Sequence, residues 1–318
     1  MEKIIVITKK TALEELIQKF NSKEQAKFYI EHSGSSFDEY QKEHDAYQIA
    51  LSKLMSILPL DLKQQVVDRS FLPNFLFGPK DLVIPVGPDG LVINTAKYLN
   101  GQPILAVNPD RQRIDGILLP FYIEDLTPQY LDRLVRGNYS LDQISIAHVK
   151  LNDGQEMYGV NDIFIGPKNQ LSFRYCLQQS GISENQCSSG IIVSTGAGST
   201  GWFKSIVAGA RTIVACLDKL DTKKHQDSRF SWNADYLYFC VREPFQSKTS
   251  GINYIFGKIS KDKPLYITSQ TPQGAIIFSD GIEKDFLEFG SGKVACINLA
   301  NKKANLIRKP VFNASQKR

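Results

Sequence analysis

The chain of 318 residues predicts an α/β plus β protein: an N-terminal α/β domain with a parallel sheet over residues 1–125, and a C-terminal β-sandwich domain over residues 126–300. Two observations predict it. In the first third, short wholly apolar runs of the kind buried in a parallel sheet alternate with segments of helical periodicity. Beyond about Asp125 the texture changes to short β-rich runs separated by turn residues, the pattern of an antiparallel sandwich. The length suits two cores of roughly 150 residues each.

Lys3 to Thr8 reads as a buried strand, and Thr11-Ala-Leu-Glu14 is a capping-box pattern that opens a short helix with Leu13, Leu16, Ile17 and Phe20 on one face. Ser36-Phe-Asp-Glu39 repeats that pattern. Phe37, Tyr40, His44, Tyr47, Leu51, Leu54 and Leu58 then recur at spacings of three and four, which predicts one long helix stopped near Pro59 and packed on the domain's own sheet, a dimerising coiled coil being the alternative. Asp81 to Val86 and Pro103 to Val107 are further strands, with helical character between them at Asn94 to Leu99. The later strands are expected at Met157 to Ile165, Leu171 to Leu177, Gly190 to Ser194, Tyr236 to Val241, Ile252 to Ile259, Leu265 to Thr268, Ala275 to Phe278 and Lys293 to Leu299. One helix interrupts them, with Phe203, Ile206, Val207, Ala210, Ile213, Val214 and Leu217 on a single face. The polar stretch Asp221 to Ser228 is expected to be an exposed loop.

Composition narrows the function classes. No apolar run approaches the roughly 18 to 20 residues of a bilayer span, and the apolar run near the start covers only Ile4 to Ile7, so a cytoplasmic protein without signal peptide or membrane contact is expected. The cysteines (Cys176, Cys187, Cys216, Cys240, Cys296) form no C-x-x-C pair, which argues against zinc and disulfides, and no protein metal ligand is assigned. The net charge of +5 is spread along the chain with no basic block, suiting small anionic ligands better than nucleic acid.

Three segments carry candidate chemistry. Val86-Gly87-Pro88-Asp89-Gly90 stands where a buried strand ends and a helix begins, the edge of an open α/β sheet at which ligands bind. Its glycines let backbone approach a phosphate and the helix start directs N–H groups toward it. An aspartate there calls for a metal or a proton-accepting role; on spacing alone Pro-Asp-Gly is equally a good β-turn. Ser194-Thr-Gly-Ala-Gly-Ser-Thr-Gly-Trp202 puts four hydroxyls and three glycines between a strand and an amphipathic helix, a loop suited to phosphate or ribose but lacking a P-loop lysine. Asn161-Asp162 sets a polar pair inside an apolar run, where a sugar diol would supply hydrogen-bond partners, although a strand-end turn would also accommodate it.

Together these segments resemble the NAD kinase family, in the family's order and over nearly the whole chain. The family's G-G-D-G motif appears as Gly87-Pro88-Asp89-Gly90, its following strand ends at Asn108, its Asn-acid pair is matched by Asn161-Asp162, and its T-G-S loop by Thr195 to Trp202. Ser188-Ser189-Gly190, Val241-Arg242-Glu243-Pro244 and Ser279-Asp280-Gly281 look most like the mitochondrial-type branch. The resemblance implies a dinucleotide held between the domains and a tail, 301–318, returning to the first domain. It implies Mg²⁺-dependent phosphorylation of the 2′-hydroxyl of NAD by ATP, with Asp89 as the catalytic carboxylate. Gly87, Gly90, Asn108, Asn161, Asp162, Thr195, Gly198, Ser199, Thr200, Trp202 and Asp280 would bind the nucleotides. The partners expected are small-molecule nucleotides, in a homo-oligomer (dimer or tetramer).

The sequence departs from the family pattern at Pro88, where a glycine with its N–H is usual, at Gly201 before the loop's aromatic residue, and at Ser189, where many relatives carry aspartate. Pro88 has no N–H and a fixed φ, so it removes one phosphate donor. Two other readings follow: a non-catalytic dinucleotide-binding protein, and a kinase of another hydroxyl, of lipid or sugar type. Asn161, Asp162 and the Thr195 loop favour a dinucleotide over a lipid, and Pro88 favours the binding-only reading.

Overall fold

The computed structural model describes residues 1–218 and 227–310, so the stretch expected as a loop from Asp221 lies outside the described residues as far as position 226, as do residues 311–318 of the tail. The chain divides into two compact units, Met1–Asp142 together with the chain from Asn305 onward, and Gln143–Ala304. The N-terminal domain is mixed α/β and the C-terminal domain is an antiparallel β structure of two sheets.

In the first unit the order is β1 (Lys3–Thr8), α1 (Ala12–Phe20), α2 (Lys23–His32), α3 (Phe37–Ile57), β2 (Lys63–Asp68), β3 (Asp81–Pro85), α4 (Asp89–Ala96), β4 (Pro103–Ile104), β5 (Val107–Asn108), β6 (Phe121–Tyr122) and α5 (Pro128–Val135). β1 lies parallel between β2 and β3, β4 continues beyond β3, and Asn305 and Leu306 pair in parallel with Pro103 and Ile104. Ile4 to Ile7 and Leu82 to Ile84 are wholly buried, as a sheet covered on both faces requires. Thr11 and Glu14 close the expected capping box, whereas Ser36 makes no side-chain cap bond. The long helix α3 forms regardless, because Tyr47, Ala50 and Leu54 pack on Ile4, Val6, Leu82 and Ile84 of its own sheet. That packing decides against the coiled-coil alternative.

The second unit contains β7 (Leu141–Leu151), β8 (Glu156–Gly159), β9 (Asp162–Pro167), β10 (Phe173–Gln179), β11 (Ile182–Ser188), β12 (Ile191–Ser194), α6 (Trp202–Asp218), β13 (Tyr236–Val241), β14 (Phe256–Ser260), β15 (Leu265–Ser269), β16 (Ala275–Ser279), β17 (Leu287–Glu288) and β18 (Val294–Ile307). One sheet runs β11-β10-β15-β18 with β7 and β8 joined at β18, and the other runs β14-β13-β12-β9-β16-β17. Phe173, Tyr175, Leu265, Ile267 and Ile297 of the first meet Ile163, Ile165, Val193, Phe239 and Ile277 of the second in one core.

The expected strand Met157 to Ile165 is two strands, β8 and β9, broken at Val160 and Asn161, where backbone bonds turn aside to Asp280. The helix α6 forms where the sequence predicts it. Phe203 is buried, but Ile213, Val214 and Leu217 of the same apolar stripe are exposed, Leu217 by 77%.

Candidate functional site

In the first unit the turn after β3 is held by backbone bonds. Val86 donates to the Ile7 carbonyl at 3.0 Å and Gly87 to the Val107 carbonyl at 3.1 Å, so the ends of β1, β3 and β5 meet at the carboxyl edge of the sheet. Pro88 is the N-cap of α4, a position that needs no N–H, and Asp89 is the first helical residue. The Asp89 carboxylate is half-buried and accepts N–H bonds from Leu118 at 2.7 Å and Ile117 at 3.2 Å. It therefore latches the loop 109–118 over the helix start. Each oxygen keeps a lone pair for a further donor.

Asn108 secures the same loop from the other side. Its amide donates to the Ile114 carbonyl and accepts from the Asp110 N–H, each at 2.9 Å, and a Cβ at Gly116 would meet its amide nitrogen at 2.9 Å. With both amide atoms engaged, Asn108 shapes the loop. Gly87 has a φ of +158°, a conformation that residues with a side chain rarely adopt, and a Cβ there would also meet the end of the Leu91 side chain at 2.9 Å. Gly90 lies in the first turn of α4 with no positive φ and no atom within 4 Å of an added Cβ, so neither packing nor backbone conformation requires a glycine there. A cavity of ≈ 270 Å³ opens beside this turn, lined by Lys9, Glu43, Tyr47, Gly87, Pro88 and Arg113 among others.

In the second unit the Asn-acid pair, the Thr195 loop and Asp280 converge. Asp280 accepts N–H bonds from Asn161 at 2.7 Å, Val160 at 3.0 Å and Asp162 at 3.3 Å, and its own N–H returns to the Asp162 carbonyl at 3.0 Å. Its φ is +56°, a left-handed conformation that costs an aspartate energy and persists where the surrounding structure enforces it. Thr195 donates its hydroxyl to the Val160 carbonyl at 2.5 Å and its N–H to the Asn161 carbonyl at 2.9 Å. A Cβ at Gly198 would lie 2.0 Å from the Asn161 carbonyl, so only glycine permits this approach.

The loop's other hydroxyl protons are engaged within the loop. Ser194 donates to the Thr195 carbonyl, Ser199 to Gly196 at 2.6 Å, and Thr200 to Ala197 at 3.2 Å. The donor-rich loop read from the sequence is thus a self-braced one: Ser194, Thr195 and Ser199 are fully buried, and Thr195 and Ser199 also accept from the Gly198 and Phe230 N–H groups. Trp202 packs its ring on Phe164 at 5.7 Å, with Arg242 5.1 Å from its centroid.

Asp162 is only 8% exposed, and its carboxyl has no hydrogen-bond partner among the described residues. Burial, with the Asp280 charge beside it, pushes that carboxyl up to about 7. The neighbouring Ser279 hydroxyl is buried with no partner among the described residues. Sequence reasoning missed Lys9, Tyr47 and Arg113 as lining residues; the Lys9-Lys10 pair directly after β1 was the available signal.

No family model matches the chain. A protein of Oryza sativa subsp. japonica described as a probable NADH kinase is 26% identical over 224 residues, covering 62% of this chain and 62% of its own. NAD kinases of Acidithiobacillus ferrooxidans and Hahella chejuensis are 31% and 36% identical over 135 and 133 residues, each covering 39% of this chain and 44% of its own. The chain is a distant homologue of NAD and NADH kinases. It spans less than two thirds of the length of these curated relatives. Yeast NADH kinase complexed with NADH shares the fold, with a TM-score of 0.59 at 14% identity over 97% of this chain and 84% of that one. An NAD kinase from Archaeoglobus fulgidus in complex with ATP does so with a TM-score of 0.56 at 15% identity, over 97% and 94%.

The raised Asp162 carboxyl makes a prediction about stability. Folding takes up a proton there between the ordinary value of 3.8 and about 7, so the associated stability is fully present below 3.8 and is lost as pH rises through 7. Thermal melts of wild type and Asp162→Asn across that range should therefore diverge, the wild type losing stability relative to the variant as pH rises. Parallel curves would show that Asp162 does not titrate as described.

Proposed function

We propose that the protein is a phosphotransferase of NAD kinase type that moves the γ-phosphoryl group of a nucleoside triphosphate onto the 2′-hydroxyl of NAD, giving NADP. The observation that carries the reading is the buried Asp162 carboxyl, which has no hydrogen-bond partner among the described residues. A buried polar group without partners is costly, and a ligand bearing both donors and acceptors, such as a ribose diol or a carboxamide, would satisfy it. Distant homology to NAD and NADH kinases supports the same ligand class.

In this reading Asn161, Asp162, Thr195, Gly198, Ser199, Thr200, Trp202 and Asp280 form the dinucleotide pocket, and Gly87, Asp89, Gly90 and Asn108 belong to the phosphoryl-transfer turn. The 2′-oxygen forms a bond to the γ-phosphorus as the bond from that phosphorus to the β-bridging oxygen breaks. Asp89 takes the hydroxyl proton on a remaining lone pair, and the nucleoside diphosphate leaves. Mg²⁺ bound with the triphosphate would neutralise its charge. Such an ion needs only one or two protein carboxylates alongside the phosphates. Glu43, in the cavity beside Gly87 and Pro88, supplies a carboxylate of the kind such an ion needs.

The proposal extends to a cytoplasmic homo-oligomer, dimer or tetramer, and to kinship closest to the mitochondrial-type branch through Ser188 to Gly190, Val241 to Pro244 and Ser279 to Gly281. A second reading, a dinucleotide-binding protein without transfer, is favoured by Pro88, which lacks an N–H, and by the two backbone donors already on Asp89.

Incubation of the purified protein with NAD, ATP and Mg²⁺, with NADP read by an NADP-specific dehydrogenase, tests the reading directly. Turnover is expected, and NAD binding without turnover would favour the binding-only reading. Asp89→Asn should lower turnover by roughly 10² to 10⁴-fold with NAD affinity nearly unchanged; near-wild-type turnover would remove Asp89 from the chemistry. Pro88→Gly should lower the KM for ATP, by at most one charge-assisted hydrogen bond of roughly 1.5 to 3 kcal/mol less the entropy of the freed backbone. An unchanged KM would mean that position 88 does not face the donor.

A further inference from the structure

Three strand ends at the carboxyl edge of the parallel sheet in the first unit border two cavities. One, of ≈ 470 Å³, is lined by Thr8, Lys9, Lys10, Glu14, Tyr47 and Asp68 among others, and the second is the cavity of ≈ 270 Å³ beside Gly87 and Pro88. Lys9 and Tyr47 line both. The Lys9 backbone is fixed by its N–H bond to the Tyr47 hydroxyl at 3.2 Å, and Tyr47 is buried in α3.

Of the other charged groups lining the two cavities, Glu43 alone has no ion pair or hydrogen bond among the described residues, and the rest have partners. Arg113 pairs with Asp110 at 2.8 Å and Glu39 at 3.5 Å, and Lys10 donates to Gln18 at 2.6 Å. Glu14 accepts from the Thr11 N–H and from Gln48, and Asp68 accepts from Ser70. The half-buried Lys9 ammonium has no ion pair or hydrogen bond among the described residues. An unmatched ammonium in a cavity whose neighbouring turn lacks one N–H suits an anion of phosphate type, because lysine acts on phosphate as a point charge needing no fixed geometry.

We infer that Lys9 is the residue that binds the phosphate chain of the nucleoside triphosphate, supplying beside Gly87 the contact that Pro88 withholds. The inference rests on the phosphotransferase reading of the same turn. It makes Lys9 a donor-binding residue, separate from the dinucleotide pocket of the other unit. It also accounts for how a turn containing proline could serve a triphosphate.

The test is calorimetric titration of ATP with Mg²⁺ into the full chain as wild type, Lys9→Met and Lys9→Arg, with NAD titrated in parallel. Lys9→Met should weaken ATP on the order of 10- to 100-fold, the loss of one charge-assisted contact, while leaving NAD affinity and the melting midpoint unchanged. Lys9→Arg should recover most of the loss, since it keeps the charge. Inorganic tripolyphosphate should compete with ATP in the wild type and much less in Lys9→Met, which separates a phosphate contact from a base contact. Equal ATP affinity in wild type and Lys9→Met overturns the assignment, as does competition by tripolyphosphate that is indifferent to Lys9. ATP binding that depends on Lys9 without any formation of NADP would uphold Lys9 and defeat the phosphotransferase reading. A wild-type protein that binds no ATP overturns both.

Discussion

The polar cluster of the second unit depends on one carboxylate. Asp280 gathers the N–H groups of Val160, Asn161 and Asp162 at the point where the β8 to β9 run breaks. Without an acceptor there, these N–H groups of a part-buried segment would lack protein partners, at a cost of about 1 to 3 kcal/mol for each one fully buried. The same contacts orient Asn161 and bring the Asp162 carboxyl into the low-dielectric surroundings that raise it to about 7. Thr195 then docks on the carbonyls of the same segment, so one acidic side chain ties the Asn-acid pair to the glycine-rich loop. The left-handed backbone of Asp280 marks the strain accepted for this placement.

The first unit uses the same device on a different loop. Asp89 accepts from Ile117 and Leu118, while Asn108 closes the loop from beneath through Asp110 and Ile114. A carboxylate held in this way is oriented before any ligand arrives, which is the condition for a positioned proton acceptor. Both clusters thus couple an acidic side chain to backbone N–H groups.

Much of the fold was legible because burial leaves a pattern. Ile4 to Ile7, Leu82 to Ile84 and Ile191 to Val193 are apolar since both faces of their strands are covered, and the spacing of Tyr47, Leu51 and Leu54 reflects one face of α3 on its sheet. The edge strands β2 (Lys63-Gln-Gln-Val-Val-Asp68) and β11 (Ile182-Ser-Glu-Asn-Gln-Cys-Ser188) were missed because a strand with a free edge and a wet face keeps polar residues, leaving little alternation to read. Helix α5 is only one short amphipathic segment, hidden in a region of strand-like texture. The exposed end of the α6 stripe shows the converse: apolar periodicity identifies a helix without saying how much of its face is covered. At the candidate site the motif residues were legible as short, ordered segments. What the sequence could not reveal was which hydrogen bonds they make: that Asn108 braces a loop, that the Ser194 to Thr200 hydroxyls brace their own turn, and that Lys9 reaches the edge occupied by Gly87.

The central claim is that the cluster organised by Asp280 binds a dinucleotide. Calorimetric titration of NAD into the wild type and Asp280→Asn tests it most directly, because the variant keeps the size of the side chain while removing the charge and one acceptor. The account predicts measurable heat and thermal stabilisation for the wild type, and an affinity for Asp280→Asn weaker by roughly tenfold or more. Absence of heat and of stabilisation in the wild type at about millimolar NAD, or equal affinity in the two proteins, would contradict it.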